Sequence, residues 1–232
     1  MVKLAIICEG KTERLFAEQL LASHFSSFGI EIGAIEIGVD CKQPGGNVSF
    51  DRVCHDLAIL LSDYDRVTTL IDFFRLGSGW SGKALLKPGM TSAEQGKTVE
   101  NAALEDAQKC LPEFDIANRF IPNVLMHEFE GLLFADPEAI VEVTRAHASF
   151  ALLRQVSASF HSPEDINTGS EKAPSKRLAN LGANYGKIAH GVRIVARIGL
   201  ATIRAKCPHF NEWLAKVESI SGASPELKEG KT

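Results

Sequence analysis

Four carboxylates stand where hydrophobic runs of this chain stop. Glu9 follows "VKLAIIC", Asp72 closes "RVTTLID", and Glu128 and Glu130 lie just past "RFIPNVLM" in "HEFEGLLFADP". Neither a buried strand nor the turn after it needs an acid at these positions. Oxygen ligands gathered from separate segments suit Mg²⁺ or Mn²⁺, which keep waters for substrate phosphates. A metal so held neutralises phosphodiester charge and activates water, while a free carboxylate manages protons. Glu9 and His127 are the candidate catalytic groups on this reading, and Asp72, Glu128 and Glu130 the candidate ligands. His127 could act as a general acid or join the metal, since an ordinary imidazole titrates near neutrality. A plainer reading makes Glu9 a helix-cap charge, the other acids solvated strand ends and His127 a hydrogen-bonding residue.

Positioning these acids requires strands that all end on one rim. The run "VKLAIIC" has the continuous apolar character of a strand buried on both faces, and "TERLFAEQLLASHF" follows as an amphipathic helix with Thr12 as its N-cap and Glu13 in its first turn. Residues 30–39 alternate enough for an edge strand, 48–63 fit a helix through Phe50, Val53, Leu57, Leu60 and Leu61, and "RVTTLIDFF" gives a third strand. A helix near 98–111 and a fourth strand at "RFIPNVLM" complete the alternation. Strands alternating with helices imply a mainly parallel four-stranded α/β sheet flanked by helices, and ligands of such sheets bind outside the carboxyl ends of the strands. Helices at "PSKRLANL", "GVRIVARIGLATIRA" and "HFNEWLAKVESI" form a C-terminal addition. The expected division is an α/β domain over 1–136, a helical region over 137–220 packed on it, and a flexible tail over 221–232.

Cations able to meet phosphate are distributed around this frame. Gly10 is expected to turn the chain, and Lys11 and Thr12 lie at a helix N-terminus, although the spacing of a P-loop is missing: no glycine stands four or five residues before Gly10. Residues 75–98 hold five glycines and little periodicity, which suits a functional lid or a disordered insert, with Trp80 and Lys83 its most informative members. Lys176 and Arg177 fall in the first turn of "PSKRLANL", where cations oppose the helix dipole. Arg193, Arg197 and Arg204 recur at spacings that one helix would gather on a single face, suited to a nucleic-acid backbone or to the chain's own acids.

Composition narrows the class. The 232 residues carry a net charge of −4, but residues 172–211 hold eight Lys or Arg and no acid, whereas residues 1–171 hold 14 basic and 25 acidic residues, a net of −11. An acidic body with one basic segment suits metal, phosphate or self-docking. No apolar run approaches the roughly 18 residues of a membrane span, and the N-terminal run is too short for a secretory signal, so a cytoplasmic protein is expected. Cys8, Cys41, Cys54, Cys110 and Cys207 are scattered without a C-x-x-C pair and read as packed residues.

An "EG-x-TE" after the first strand, an Asp ending the third, "HEFEGLLFADP" after the fourth, then "APSKRL" and "KCPHFNEWL" occur in this order from Val2 to about Ser219. Together they resemble the bacterial domain-of-unknown-function family 4276. That family is similar to the TOPRIM fold of topoisomerases, primases and overcoming-lysogenization-defect nucleases, in which a glutamate after the first strand and a D-x-D after the third hold Mg²⁺. The resemblance matches Glu9 to the glutamate and Asp72 to the first aspartate, and it sets Phe74 where the second would stand. It implies a Mg²⁺-dependent nuclease or phosphotransferase acting on nucleic acid in bacterial anti-phage defence or DNA processing. It also implies, as an alternative, a non-catalytic or conditionally active partner of an ABC- or AAA-type ATPase. A small-molecule phosphohydrolase on the same rim and an oligomeric assembly are compatible with the sequence.

Overall fold

A computed structural model describes residues 1–38, 48–166, 172–180 and 185–222. Cys41, the glycine-rich turn at 43–47 and nearly all of the expected tail lie outside the described residues. Strand β1 (Val2–Cys8) leads into helix α1 (residues 11–26, with a π-type turn at Ala17–Leu21), and β2 (Ile30–Glu36) returns along its edge. Helix α2 (Phe50–Asp63), β3 (Arg66–Asp72) and helix α3 (Ser92–Cys110) follow. The chain then runs through α4 (Ile116–Arg119) into β4 (Phe120–Ile121) and β5 (Val124–Leu125). All pairings are parallel, in the order β2-β1-β3-β4 with β5 also on β3. This is the α/β class that the alternating pattern implies, with every strand ending on the same rim.

Two differences from expectation shape that rim. The fourth strand is split into β4 and β5, because Pro122 has no N–H for the ladder. Thr69 bridges the gap, its hydroxyl donating to Asn123 O at 2.6 Å while Asn123 N donates back to Thr69 Oγ1 at 2.8 Å. Residues 75–98 are neither an open lid nor an insert. Trp80 is buried edge-on against Phe50, and α3 starts at Ser92 behind a capping box in which Thr91 and Glu94 satisfy each other's backbone N–H groups.

Side-chain alternation in β1 divides the core into two layers. Leu4, Ile6 and Cys8 face one cluster with Phe16, Phe25 and the C-terminal helices, and Ala5 and Ile7 face the other with Val53, Leu57, Val99 and Ala103. The first layer is completed by α5 (Pro137–Thr144), α6 (Phe150–Ala158), α7 (Pro174–Ala179), α8 (Val192–Ile198), α9 (Leu200–Lys206) and α10 (Pro208–Glu218). Glu164 fastens the start of α10 by accepting from His209 N and Phe210 N, both at 2.9 Å, and Glu100 Oε1 on α3 joins Val124 N at 3.0 Å to His209 Nε2 at 2.9 Å. Trp213 Nε1 donates to Thr68 Oγ1 of the central β3 at 2.9 Å. The C-terminal helices and the sheet therefore share one core.

The expected continuous helix over 191–205 is broken. Gly199 has φ of +78°, a region that glycine enters without penalty, and it separates α8 from α9. No single arginine face forms: Arg197 Nε pairs with Glu142 at 2.6 Å, Arg204 pairs with Glu218, and Arg193 points to solvent.

Candidate functional site

Glu9 is placed by β1, whose ladder continues one residue past the strand through Glu9 N donating to Leu70 O at 3.0 Å. Its carboxylate crosses to the end of β3: Oε2 accepts from Asp72 N at 3.1 Å, and Oε1 pairs with Arg75 Nε at 3.1 Å. Asp72 is fully enclosed. Its Oδ1 accepts from Phe129 N at 2.7 Å, which ties β3 to the loop after β5, and its Oδ2 lies 3.2 Å from Lys187 Nζ.

Lys187 is the organising cation. Its Nζ also lies 3.3 Å from Glu13 Oε1 and 3.6 Å from Glu130 Oε2, so one ammonium is shared by carboxylates from α1, β3 and the 3₁₀ segment Phe129–Ala135. Tyr185, two residues upstream, donates its hydroxyl to Glu130 Oε1 at 3.4 Å. Burial raises the Glu9, Asp72 and Glu130 carboxyls above their ordinary range, with Lys187 opposing the rise in each. Burial alone would push Lys187 down, but Asp72, Glu13, Glu130 and Glu9 together outweigh it and hold the ammonium well above the usual lysine range. At neutral pH, Lys187 is charged.

The remaining sequence-expected residues are placed differently. Glu128 does not share a face with Glu130, because the backbone passes from an extended Glu128 into the 3₁₀ segment. It turns to Ser175, accepting from the backbone N at 2.9 Å and the hydroxyl at 3.0 Å. The anion at the start of α7 is thus a carboxylate of this chain. Lys176 beside it is exposed, and Arg177 donates to Lys172 O at 2.7 Å and stacks over Phe160.

Thr12 is not the N-cap. The helix starts at Lys11 with an extended Gly10 as cap, Lys11 is exposed, and Thr12 is buried. Nor is Gly10 required for the turn, since an added Cβ would meet only Glu13 Oε2 at 3.7 Å. Lys83 stacks over the Phe73 ring at 4.1 Å.

His127 has a φ of +64° and is buried between Ser92, whose Oγ is 3.3 Å from Nε2, and the rings of Phe73 and Phe74. Its Nδ1 has no hydrogen-bond partner among the described residues. Burial holds its pKa down at about 4, so it is a neutral imidazole at pH 7. Phe74, 38% exposed, covers it with ring centroids 5.0 Å apart.

Glu13 and Lys187 are the members that reading the sequence for site residues overlooks. Glu13 lies one helical turn beyond Glu9, where an acid also serves the helix dipole, and Lys187 is 115 residues from Asp72. The only local sign of Glu13 is the second glutamate of "EGKTE".

Hard oxygen donors fit a divalent cation in chemical kind, but Glu13 Oε1, the one of them without a hydrogen bond among the described residues, is already ion-paired with Lys187 Nζ at 3.3 Å. In the geometry as it stands, no three His, Cys, Asp or Glu side chains among the described residues are placed to hold a metal ion. What they surround is the lysine.

Fold and site together define a parallel α/β protein with an acidic, lysine-centred cluster at the carboxyl rim of its sheet. The family model for a domain of unknown function, DUF4276, matches residues 8–218, and the chain belongs to that family. No curated protein and no solved structure matches it. Among the described residues, no helix is long and apolar enough to cross a membrane.

Proposed function

We propose that this chain is a cytoplasmic, Mg²⁺- or Mn²⁺-dependent enzyme of phosphodiester chemistry on nucleic acid, of the TOPRIM-like kind, serving bacterial anti-phage defence or DNA processing. The observation that carries the reading is the convergence of Glu13, Asp72 and Glu130 on one ammonium, with Glu9 beside them on Asp72 N and Arg75, at the rim where parallel α/β sheets bind ligands. Glu13, Asp72 and Glu130 are the residues to hold the ion, which would neutralise phosphate charge and lower the pKa of water. Glu9, its carboxyl raised by burial and by Glu13, would be the group that takes the proton. Arg75, 46% exposed on its carboxylate, is the cation at the mouth for a phosphate. The test is cleavage of single- and double-stranded DNA and RNA with Mn²⁺, with and without a co-encoded ATPase. Activity lost in Asp72→Asn and Glu9→Gln is expected; a wild type inert under every condition would sink the reading.

A second reading, a conditionally active partner subunit of an ABC- or AAA-type ATPase, is favoured by one observation. Phe74 stands where the family resemblance expects a carboxylate, and its ring lies on His127 instead. Cleavage that appears only with the ATPase present would select it. A small-molecule phosphohydrolase loses its lid, because Trp80 belongs to the core.

A further inference from the structure

We propose that the cleft between α3, α10 and the edge strand β4 binds a nucleotide whose base carries an exocyclic amine, with Glu100 reading the amine and Lys216 meeting the phosphate. The cleft adjoins the start of β3, where β4 pairs with Val67 and Thr68, whereas Asp72 closes that strand at its other end. It is a second site, and it does not depend on the metal reading at the rim.

One helix face and one sheet edge build the cleft. Lys97, Glu100, Asn101 and Leu104 follow one another at helical spacing on α3, and β4 ends its side of the sheet, so nothing among the described residues pairs with its outer edge. The cavity between them and α10 has a volume of about 450 Å³, within the range of small-ligand sites. Leu104, Phe120 and Pro122 give it apolar walls suited to a flat ring. Among its lining groups is a carboxylate, Glu100, that is only 6% exposed. Glu100 Oε1 is taken twice, by Val124 N at 3.0 Å and His209 Nε2 at 2.9 Å. Oε2 accepts no hydrogen bond among the described residues, which leaves one oxygen of a nearly buried acid for a donor in the cavity. Asn101 beside it adds an amide that both donates and accepts. At the mouth, Lys97 pairs with Glu212 at 3.0 Å, and Lys216, one turn further along α10, makes no ion pair among the described residues.

These charges select the chemistry of the ligand. A bare phosphate would meet the Glu100 carboxylate, and a simple organic cation would meet two lysines. A hydrogen-bond donor at one end, a flat ring in the middle and an anion at the other end satisfy all three zones. Nucleotides of adenine, cytosine and guanine have that form, free or within a single strand. Uracil and thymine present a carbonyl where cytosine presents its amine, and that oxygen would face Glu100.

Calorimetric titration of the full chain in the presence of a metal chelator tests this site apart from the rim. Cytidine monophosphate should bind, and uridine monophosphate should bind at least about tenfold more weakly. In Glu100→Gln the amide oxygen can keep Val124 N and His209 while its NH₂ turns to the cavity, so the preference should vanish or reverse. Lys216→Ala, an exposed change outside the core, should weaken cytidine monophosphate several-fold and leave cytidine unchanged; this readout stands whether or not Glu100→Gln folds. Short single strands of C and of U identify the source. A C strand that binds more tightly than the monophosphate, with the same dependence on Lys216, makes a strand the ligand, and one that binds no better makes it the free nucleotide. Equal affinity for the C and U ligands, an affinity unmoved by Lys216→Ala, or no binding of any of them would overturn the site. Each of these failures leaves the metal-dependent reading, whose test is cleavage, untouched.

Discussion

Acidification should cost this protein stability through one imidazole. His127 is enclosed by Ser92, Phe73 and Phe74, and its pKa falls from an ordinary 6.5 to about 4, first because burial disfavours the charged ring and then because Lys83 repels it, with Asp165 partly opposing. Above pH 6.5 the ring is neutral in both folded and unfolded chains and contributes no slope. Below it the unfolded chain binds a proton that the folded protein refuses, so stability is lost as pH falls from 6.5 towards about 4. At about 1.4 kcal/mol for each pH unit, the whole interval amounts to about 3 kcal/mol. Glu9, Asp72 and Glu130, whose carboxyls are raised by burial, act in the opposite sense, so the wild-type profile alone is a sum.

His127→Asn isolates the imidazole, because asparagine tolerates the φ of +64° better than most side chains and does not titrate. Urea unfolding of both proteins between about pH 7 and about pH 4.5 should show the wild type losing about one proton's worth of slope more than the variant. Parallel profiles would refute the assignment. They would also reopen a role for a protonated His127 at neutral pH, which the buried ring does not support.

Two further substitutions test the packing that holds the site. Gly96→Ala would put a Cβ 2.7 Å from His209 Cε1 and 2.9 Å from Met126 Sδ, and should cost about 1–3 kcal/mol by urea unfolding; wild-type stability would mean that α10 can withdraw from α3. Trp213→Phe keeps the ring in the core but removes the donor to Thr68 Oγ1, a loss of about 1–2 kcal/mol that Trp80 fluorescence can report, whereas no loss would mean that the bond contributes nothing net.

The rim was legible in the sequence wherever the signal was local. Apolar runs ending in Glu9 and Asp72 located the strand ends, and the residues expected to face inward on α2 are buried. Signals failed where a second force decided. Gly199 lies inside an amphipathic pattern that reads as one helix, yet the backbone breaks there and sends Arg197 and Arg204 to different carboxylates. Glu128 and Glu130 are two residues apart, and only the change from extended to 3₁₀ backbone at that point sends one to Ser175 and the other to Lys187. Lys187 itself has no local signature, since a lysine at a helix start is ordinary and its partners are remote in the chain.

Residue 213 reaching back to residue 68 also sets an order for synthesis. The layer of the sheet formed by Leu4, Ile6 and Leu70 is covered in part by α1, but Phe210, Leu214 and Val217 arrive only with Trp213, which follows Thr68 by 145 residues. At about 5–20 residues per second, the nascent protein spends roughly 7–30 seconds with that face incompletely shielded. Chaperone dependence during translation, and aggregation of fragments ending before α10, are therefore built into the topology of this sheet.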